Sequence, residues 1–142
     1  MRHPLHPALV HFPMACWSLA TAADFASLVW GEPARRLASV LLVAGTGFSI
    51  PAMLAGFFEL AKVAEENPAI NDVNRHMIVV MCALAFYTAS LFLRLQDTHL
   101  VEPDLLAIAL RVLGFLSLRI AGWLGGKLVY GHRLGVSPLP PA

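Results

Sequence analysis

Histidine is the residue type with the greatest capacity for chemistry in this sequence, and its six copies are unevenly spread. His3, His6 and His11 lie within residues 3–13, together with three prolines. A neutral imidazole binds transition metals and haem iron, and it exchanges protons near neutral pH. This N-terminal run suggests a metal or haem site, and the rest of the chain must show what would position it.

The composition of the chain is that of a membrane protein. Hydrophobic residues make up 58% and charged residues 13% of the 142 residues, and the mean hydropathy is +0.68. Soluble domains carry about 25% charged residues, so lipid is the predicted solvent. The net charge of +1 gives no basic surface for nucleic acid. Cys16 and Cys82 match no metal or redox spacing and are predicted to be small buried hydrophobes.

Four apolar runs are each long enough to cross a bilayer, which takes about 20 helical residues. They cover approximately residues 8–30, 37–61, 74–95 and 105–130, and polar loops separate them. Glycine and proline inside the second run are tolerated in membrane helices. The sequence therefore predicts an all-α integral membrane protein. We expect a four-helix bundle that forms a single transmembrane domain over residues 1–142, with both termini on the same side.

An even number of spans brings distant residues to one membrane face, here called the histidine face. Besides His3, six groups of interest are predicted there: His6, His11, Glu59, His76, Tyr130 and His132. His99 is predicted at the opposite face. A site at the histidine face would therefore draw residues from all four helices, and the N-terminal run would supply one or two of them.

The fourth span has an internal order of its own. At about 100° per residue, one stripe holds Arg111, Phe115, Arg119, Gly122, Gly126 and Tyr130. Charged residues in a span usually face the protein interior, since a central arginine costs about 2.5–3.5 kcal/mol in lipid. The stripe is therefore predicted to face inward, with Asp24 of the first span forming an ion pair with Arg111.

Several motifs agree together along the chain. They are His6-Pro7, Val10-His11-Phe12-Pro13, His76 near the start of the third span, and the C-terminal run over residues 122–132. In these motifs the chain resembles a family of bacterial four-span membrane proteins known as domain of unknown function 2231. The family pattern closes its second span with an acidic residue after a glycine, and Gly56-Phe57-Phe58-Glu59 fits with glutamate in place of aspartate. The chain departs from the family pattern at Arg133, where that pattern has glycine.

The resemblance carries implications for location and function. It implies a multi-pass protein of the bacterial inner membrane. Family members occur as single modules or as fusions with redox domains, such as c-type cytochromes or Rieske-type iron–sulfur domains. The resemblance therefore implies an electron-transfer setting.

A b-type haem is the first functional hypothesis, and it makes the chain a membrane redox component that exchanges electrons with a partner. Two imidazoles on different helices of a bundle can ligate one iron axially. His11 and His76 are the predicted ligands, with His6 and His132 as alternates. The other residues predicted for this site are Gly122 and Gly126, which would give the ring room, and Arg119 or Lys127, which would meet its propionates.

Two other hypotheses stay open. The first is a site for zinc, copper or iron without porphyrin, formed by His11, His76, His132 and Glu59. The second is a non-catalytic anchor or assembly subunit whose glycine-rich faces pack against partner helices. The predicted partners are accordingly the lipid bilayer, a redox protein, other membrane subunits or a second copy of this chain. The sequence has no phosphate-binding loop and no catalytic constellation, so an electron-transfer or accessory protein is favoured over a stand-alone enzyme.

Overall fold

The computed structural model describes residues 5–96 and 99–135, and its main feature is four long helices. Each helix is long and apolar enough to cross a membrane. The predicted all-α fold is therefore confirmed, whereas the side of the membrane on which each terminus lies stays a prediction. The elements are α1 (Leu5–Trp30), α2 (Glu32–Leu60), α3 (Ile70–Arg94), β1 (Leu95–Gln96), β2 (His99–Leu100), α4 (Leu105–Gly126) and a π-helical turn (Lys127–Gly131).

Local sequence explains several helix ends. Gly31 alone separates α1 from α2, and its φ of 61° lies in the left-handed region that glycine adopts at little cost. Pro33 follows in the first turn of α2, where a missing N–H removes no helical hydrogen bond. Asp104 caps α4 by accepting a 2.7 Å hydrogen bond from the backbone N–H of Ala107. In the α3–α4 connection, β1 and β2 form a two-residue antiparallel pair.

The four helices pack mainly as two helical hairpins, α1 with α2 and α3 with α4. Each hairpin contains a close contact between a glycine and an aromatic ring. A Cβ atom at Gly45 would lie 2.6 Å from Cδ1 of Trp17, and one at Gly114 would lie 2.9 Å from the ring of Tyr87. Since only glycine leaves room for these rings, each hairpin can hold one large aromatic residue at the bundle centre.

The two aromatic rings meet where the hairpins join. Trp17 and Tyr87 are stacked, with ring centroids 4.7 Å apart and an interplanar angle of 4°. Both side chains are buried, and the Tyr87 hydroxyl donates to the Trp17 carbonyl oxygen at 3.2 Å. The Thr21 hydroxyl lies 2.9 Å from the same Tyr87 hydroxyl. Because α1 and α3 lie diagonally in the bundle, this contact forms the centre of its core.

The hairpins are two copies of one pattern. A shift of 70 residues takes positions on α1 to positions on α3: His6 to His76, Trp17 to Tyr87 and Asp24 to Arg94. A shift of 69 residues takes positions on α2 to positions on α4: Ala38 to Ala107, Gly45 to Gly114, Ala52 to Ala121 and Gly56 to Gly125. The aromatic, charged and alanine pairs in these sets are buried in both hairpins. Since the equivalent aromatic rings contact each other, a pseudo-two-fold axis runs between α1 and α3.

The outer surface of the bundle is apolar along much of each helix, as contact with lipid requires. Cys82 lies on this surface, whereas Cys16 is buried. The prediction that both cysteines are buried is therefore correct for Cys16 and wrong for Cys82. The sequence around Cys82 is apolar on every side of the helix, so residue type alone did not distinguish the face that meets lipid.

Candidate functional site

Asp24, Arg94 and Arg111 form a buried polar site in the bundle, here called the arginine site. The Asp24 carboxylate forms an ion pair with Arg111, and its Oδ1 lies 3.9 Å from Nη1 of Arg94. Both arginine side chains are 1% exposed and that of Asp24 is 5% exposed. The predicted pair between Asp24 and Arg111 is confirmed. Arg94 is a third member that the sequence did not indicate.

Hydrogen bonds extend the arginine site to α2 and to the α3–α4 connection. Arg94 donates through Nε to the Val101 carbonyl oxygen at 2.8 Å and through Nη2 to the Ser39 hydroxyl at 3.0 Å. Arg111 donates through Nε to the Ser90 hydroxyl at 3.1 Å. Buried charges persist only with partners of this kind. Because Asp24 of the first hairpin meets two arginines of the second, we assign this site to holding the hairpins together.

We define the imidazole pair as His6 of α1 and His76 of α3, which occupy equivalent positions in the two hairpins. The Nδ1 atom of His6 lies 2.8 Å from the carbonyl oxygen of Ala52 on α2. A carbonyl oxygen can only accept, so Nδ1 carries the proton and donates it. A Cβ at Gly56 would lie 2.7 Å from this nitrogen, so glycine leaves the space that the ring occupies. The backbone N–H of His6 donates to Oε1 of Glu59 at 3.1 Å, which fixes the start of α1 against the end of α2.

His76 repeats this arrangement in the second hairpin. Its Nδ1 atom donates to the carbonyl oxygen of Ala121 on α4 at 3.1 Å. A Cβ at Gly125 would lie 3.3 Å from its Cε1. Ala121 and Gly125 are the counterparts of Ala52 and Gly56, so the same spacing of carbonyl and glycine receives the ring in both hairpins.

The two rings have one chemical property in common. With Nδ1 protonated and hydrogen-bonded, the Nε2 atom of each neutral imidazole keeps its lone pair. Histidines that bind metals usually donate their other N–H to a carbonyl or carboxylate, which orients the ring and raises its basicity. The imidazole pair is therefore prepared as metal-binding histidines are.

The other predicted ligands lie elsewhere. His11 is exposed on the outside of α1, whereas His6 and His76 are both half-buried. His132 contacts Asp72 of α3, with 2.9 Å between Nε2 and Oδ2. Nζ of Lys127 lies 2.8 Å from the same Asp72 oxygen.

The structure also bears on the predicted non-haem metal ligands. Within residues 5–96 and 99–135, no group of three or more histidine, cysteine, aspartate or glutamate side chains is arranged to hold a metal ion. The predicted ligands are therefore not gathered into one group in that part of the chain. They are His11, His76, His132 and Glu59. His3 and the side chain of His99 lie outside the described part of the chain.

Half of the predicted stripe on the fourth span is exposed. Arg111 is buried, but Arg119 and Gly122 are exposed, Gly126 is half-buried and Tyr130 is 87% exposed. Phe115 is also half-buried, so the prediction of an inward-facing stripe is wrong for its three exposed members, Arg119, Gly122 and Tyr130. The buried line advances by about 3.5 residues, through Ala107, Arg111, Gly114, Leu118 and Ala121. Steps of four residues from Arg111 to Arg119 turn away from that line, towards the outside.

Sequence reasoning missed the groups that hold the two rings. The acceptors on Ala52 and Ala121 are backbone carbonyls, which have no signature in residue type. The internal repeat was an available signal, because the histidine and the aromatic residue are eleven positions apart in both hairpins. The two contact glycines are likewise eleven positions apart in α2 and in α4.

A family comparison decides what kind of chain this is. The family model described as "Predicted membrane protein (DUF2231)" matches residues 2–138. The chain belongs to the DUF2231 family. The resemblance seen in the motifs is thereby confirmed over nearly the whole chain, and the description of the DUF2231 family agrees with the four apolar helices. No curated protein and no solved structure matches this DUF2231 protein.

Proposed function

We propose that this DUF2231 protein is a membrane redox component that holds a b-type haem between His6 and His76 and exchanges electrons with a partner protein. The imidazole pair supports this proposal. Its two rings come from different hairpins, and each is tied through Nδ1 to a backbone carbonyl so that Nε2 keeps its lone pair. Axial haem ligation by two histidines uses such nitrogens. His6 takes the place of His11, which the sequence alone favoured.

The residues present fit a haem in their donor chemistry. Facing helices of a bundle are a common place for a cofactor held by side chains. Gly56 and Gly125 let each imidazole lie against its helical partner, with Nδ1 turned to the carbonyl and Nε2 on the other side of the ring. Haem supplies reversible one-electron transfer when bound.

The chain itself orients the two imidazoles and tunes the electron-donating capacity of their nitrogens. The carbonyl oxygens of Ala52 and Ala121 draw the Nδ1 protons, which raises the electron-donating capacity of the opposite nitrogens. The Glu59 carboxylate fixes the backbone of His6 and so limits the positions that its ring can take. Both rings are half-buried among apolar helices, and burial is one of the means by which proteins set the potential of a haem.

Absorption spectra of the purified protein test the proposal. The full chain in detergent is titrated with haem, and spectra are recorded in the oxidised and reduced states. We expect a Soret band and the visible bands of low-spin haem with two histidine ligands. His6→Ala and His76→Ala should each abolish the low-spin spectrum. His11→Ala is the matched control and should keep it, because that side chain is exposed away from the pair.

Two further measurements separate the alternatives. Circular dichroism of each variant distinguishes loss of binding from loss of helical structure. Metal analysis of the same preparations tests the non-haem site. If the wild type retains zinc, copper or iron without porphyrin and His76→Ala loses it, the non-haem hypothesis replaces the haem hypothesis. A wild-type protein that binds neither haem nor metal would exclude the redox proposal and leave the anchor hypothesis.

A further inference from the structure

Arg119 lies near the middle of the fourth span. That span runs from Leu105 to Gly131, so Arg119 is about 18–21 Å from either end at about 1.5 Å per residue. Its side chain is exposed, and it forms no ion pair with any residue that the structure describes. An arginine at this depth is unfavourable in lipid unless a charge or water meets it. A charge or water from outside the described residues must therefore meet Arg119.

The face of α4 that carries Arg119 borders a groove between α1 and α4, here called the α1–α4 groove. One turn before it, Phe115 lines a cavity of about 290 Å³ together with Ser18 of α1. One turn after it, Gly122 faces Met14 of α1, since a Cβ there would lie 3.6 Å from the methionine Cε. These three α4 residues share one helix face. Arg119 thus lies on the α4 face that borders the groove, near the middle of the span.

The internal repeat provides a comparison for Arg119. The shift of 69 residues takes Ile50 of α2 to Arg119 of α4. Ile50 is also exposed, at 59%. The same position in the first hairpin is therefore apolar, as contact with lipid favours. The fold does not require a cation at this position, so the arginine calls for a different explanation.

We propose that the α1–α4 groove binds a transmembrane helix of a partner protein that carries a carboxylate near the middle of its span. Charge complementarity selects this occupant, because ionised groups in the membrane pair with one another. Small residues on the groove walls, Ser18, Ala22 and Gly122, allow another helix to approach closely. The proposal does not depend on the imidazole pair or on haem.

A second copy of this chain is a poor source of the carboxylate. Asp24 is the one acidic residue deep in a described helix, and it is buried in its ion pair with Arg111. The other acidic residues of the described helices lie near helix ends: Glu32, Glu59 and Asp72. The groove therefore favours a different protein whose helix has an acid at mid-span.

Synthetic transmembrane helices test this proposal in vesicles. One peptide is a leucine–alanine helix with a central glutamate, and the other has glutamine at that place. Each carries an acceptor fluorophore and is titrated into phosphatidylcholine vesicles that contain the full-length protein, whose tryptophans act as energy donors. We expect the glutamate peptide to bind at least tenfold more tightly than the glutamine peptide. Arg119→Ile, which copies Ile50, should remove this preference.

Controls separate pairing from loss of fold. Arg119→Ile should unfold at a temperature no lower than the wild type, because isoleucine suits an exposed position in lipid. Arg36→Gln removes an exposed arginine outside the groove and should keep the preference for glutamate.

Four results would overturn the proposal. Two are equal binding of both peptides to the wild type and a preference that survives in Arg119→Ile. The third is self-association that requires Arg119 in the absence of peptide, which would assign the groove to a second copy. The fourth is displacement of the glutamate peptide by phosphatidylglycerol, which would assign Arg119 to a lipid phosphate.

Discussion

In each hairpin of the bundle, a histidine, a large aromatic residue and two glycines occupy equivalent positions. His6 and His76 each meet a carbonyl and a glycine of the neighbouring helix, while Trp17 and Tyr87 stack across the pseudo-two-fold axis. Each hairpin therefore contributes half of the imidazole pair. Repeats related by an axis along the membrane normal are a recurrent way to build a site between two halves of a membrane protein.

The hairpins differ where they carry buried charge. Asp24 of α1 corresponds to Arg94 of α3, and Leu42 of α2 corresponds to Arg111 of α4. Identical halves would bring like charges together near the axis, whereas an acid in one half and arginines in the other make the halves complementary. The equivalent histidines and glycines of the hairpins thus form the candidate site. The opposite buried charges favour the pairing of one hairpin with the other.

The largest expected effect comes from removing the acid that makes the halves complementary. Asp24→Asn leaves two buried guanidinium groups without a carboxylate, and breaking a buried pair in this way costs about 3–5 kcal/mol of unfolding free energy. Adding Arg111→Leu, which copies Leu42, should reduce the loss because one buried cation leaves together with the acid. Unfolding in mixed micelles, followed by circular dichroism, measures both variants. Equal losses in the single and double variants would contradict the proposed complementarity.

A smaller effect is expected where each hairpin fits an aromatic ring against a glycine. Gly45→Ala and Gly114→Ala would force a methyl group against Trp17 and Tyr87. Overpacking of this kind lowers the free energy of unfolding by about 1–3 kcal/mol. Gly47→Ala is the matched control, because nothing lies within 4 Å of a Cβ at that position. Unfolding midpoints of the three variants in one detergent test this prediction. An equal loss of stability in Gly47→Ala would show that close packing is not the cause.

The smallest effect should distinguish the two histidine contacts. A Cβ at Gly56 would lie 2.7 Å from the His6 ring, against 3.3 Å between one at Gly125 and the His76 ring. If haem binds to the imidazole pair, Gly56→Ala should lower the affinity for haem roughly tenfold, equivalent to about 1.4 kcal/mol of binding free energy. Gly125→Ala should weaken it less. Haem titrations measure both affinities, and a larger loss in Gly125→Ala would mean that the second hairpin dominates the site.

The helices and one ion pair can be predicted from the sequence for clear physical reasons. Long apolar runs indicate helices because a helix satisfies its own backbone hydrogen bonds in lipid. Depth along the spans and opposite charge are sufficient to match Asp24 with Arg111. The sequence does not indicate that Arg94 is buried, because this residue is near the end of its span, where an arginine is expected to reach water.

The choice between His6 and His11 depends on information that residue types do not carry. Both lie in the first turns of α1, and the phase of the helix decides which ring meets α2. That phase is fixed by the space at Gly56 and by the carbonyl of Ala52. The repeat that identifies these partners is faint in the sequence, because the shift changes from 70 to 69 residues and few identical residues remain.

The ion pair between the hairpins also has a consequence for the order of synthesis. Asp24 is synthesised 87 residues before Arg111. At roughly 5–20 residues per second, its carboxyl group waits roughly 4–17 s for that arginine. Arg94 of the second half follows Asp24 by 70 residues, so for most of this interval the first hairpin can complete its own glycine contacts but has no arginine from the second half to pair with its acid. The nascent chain must therefore keep Asp24 protonated or near water until the second hairpin arrives.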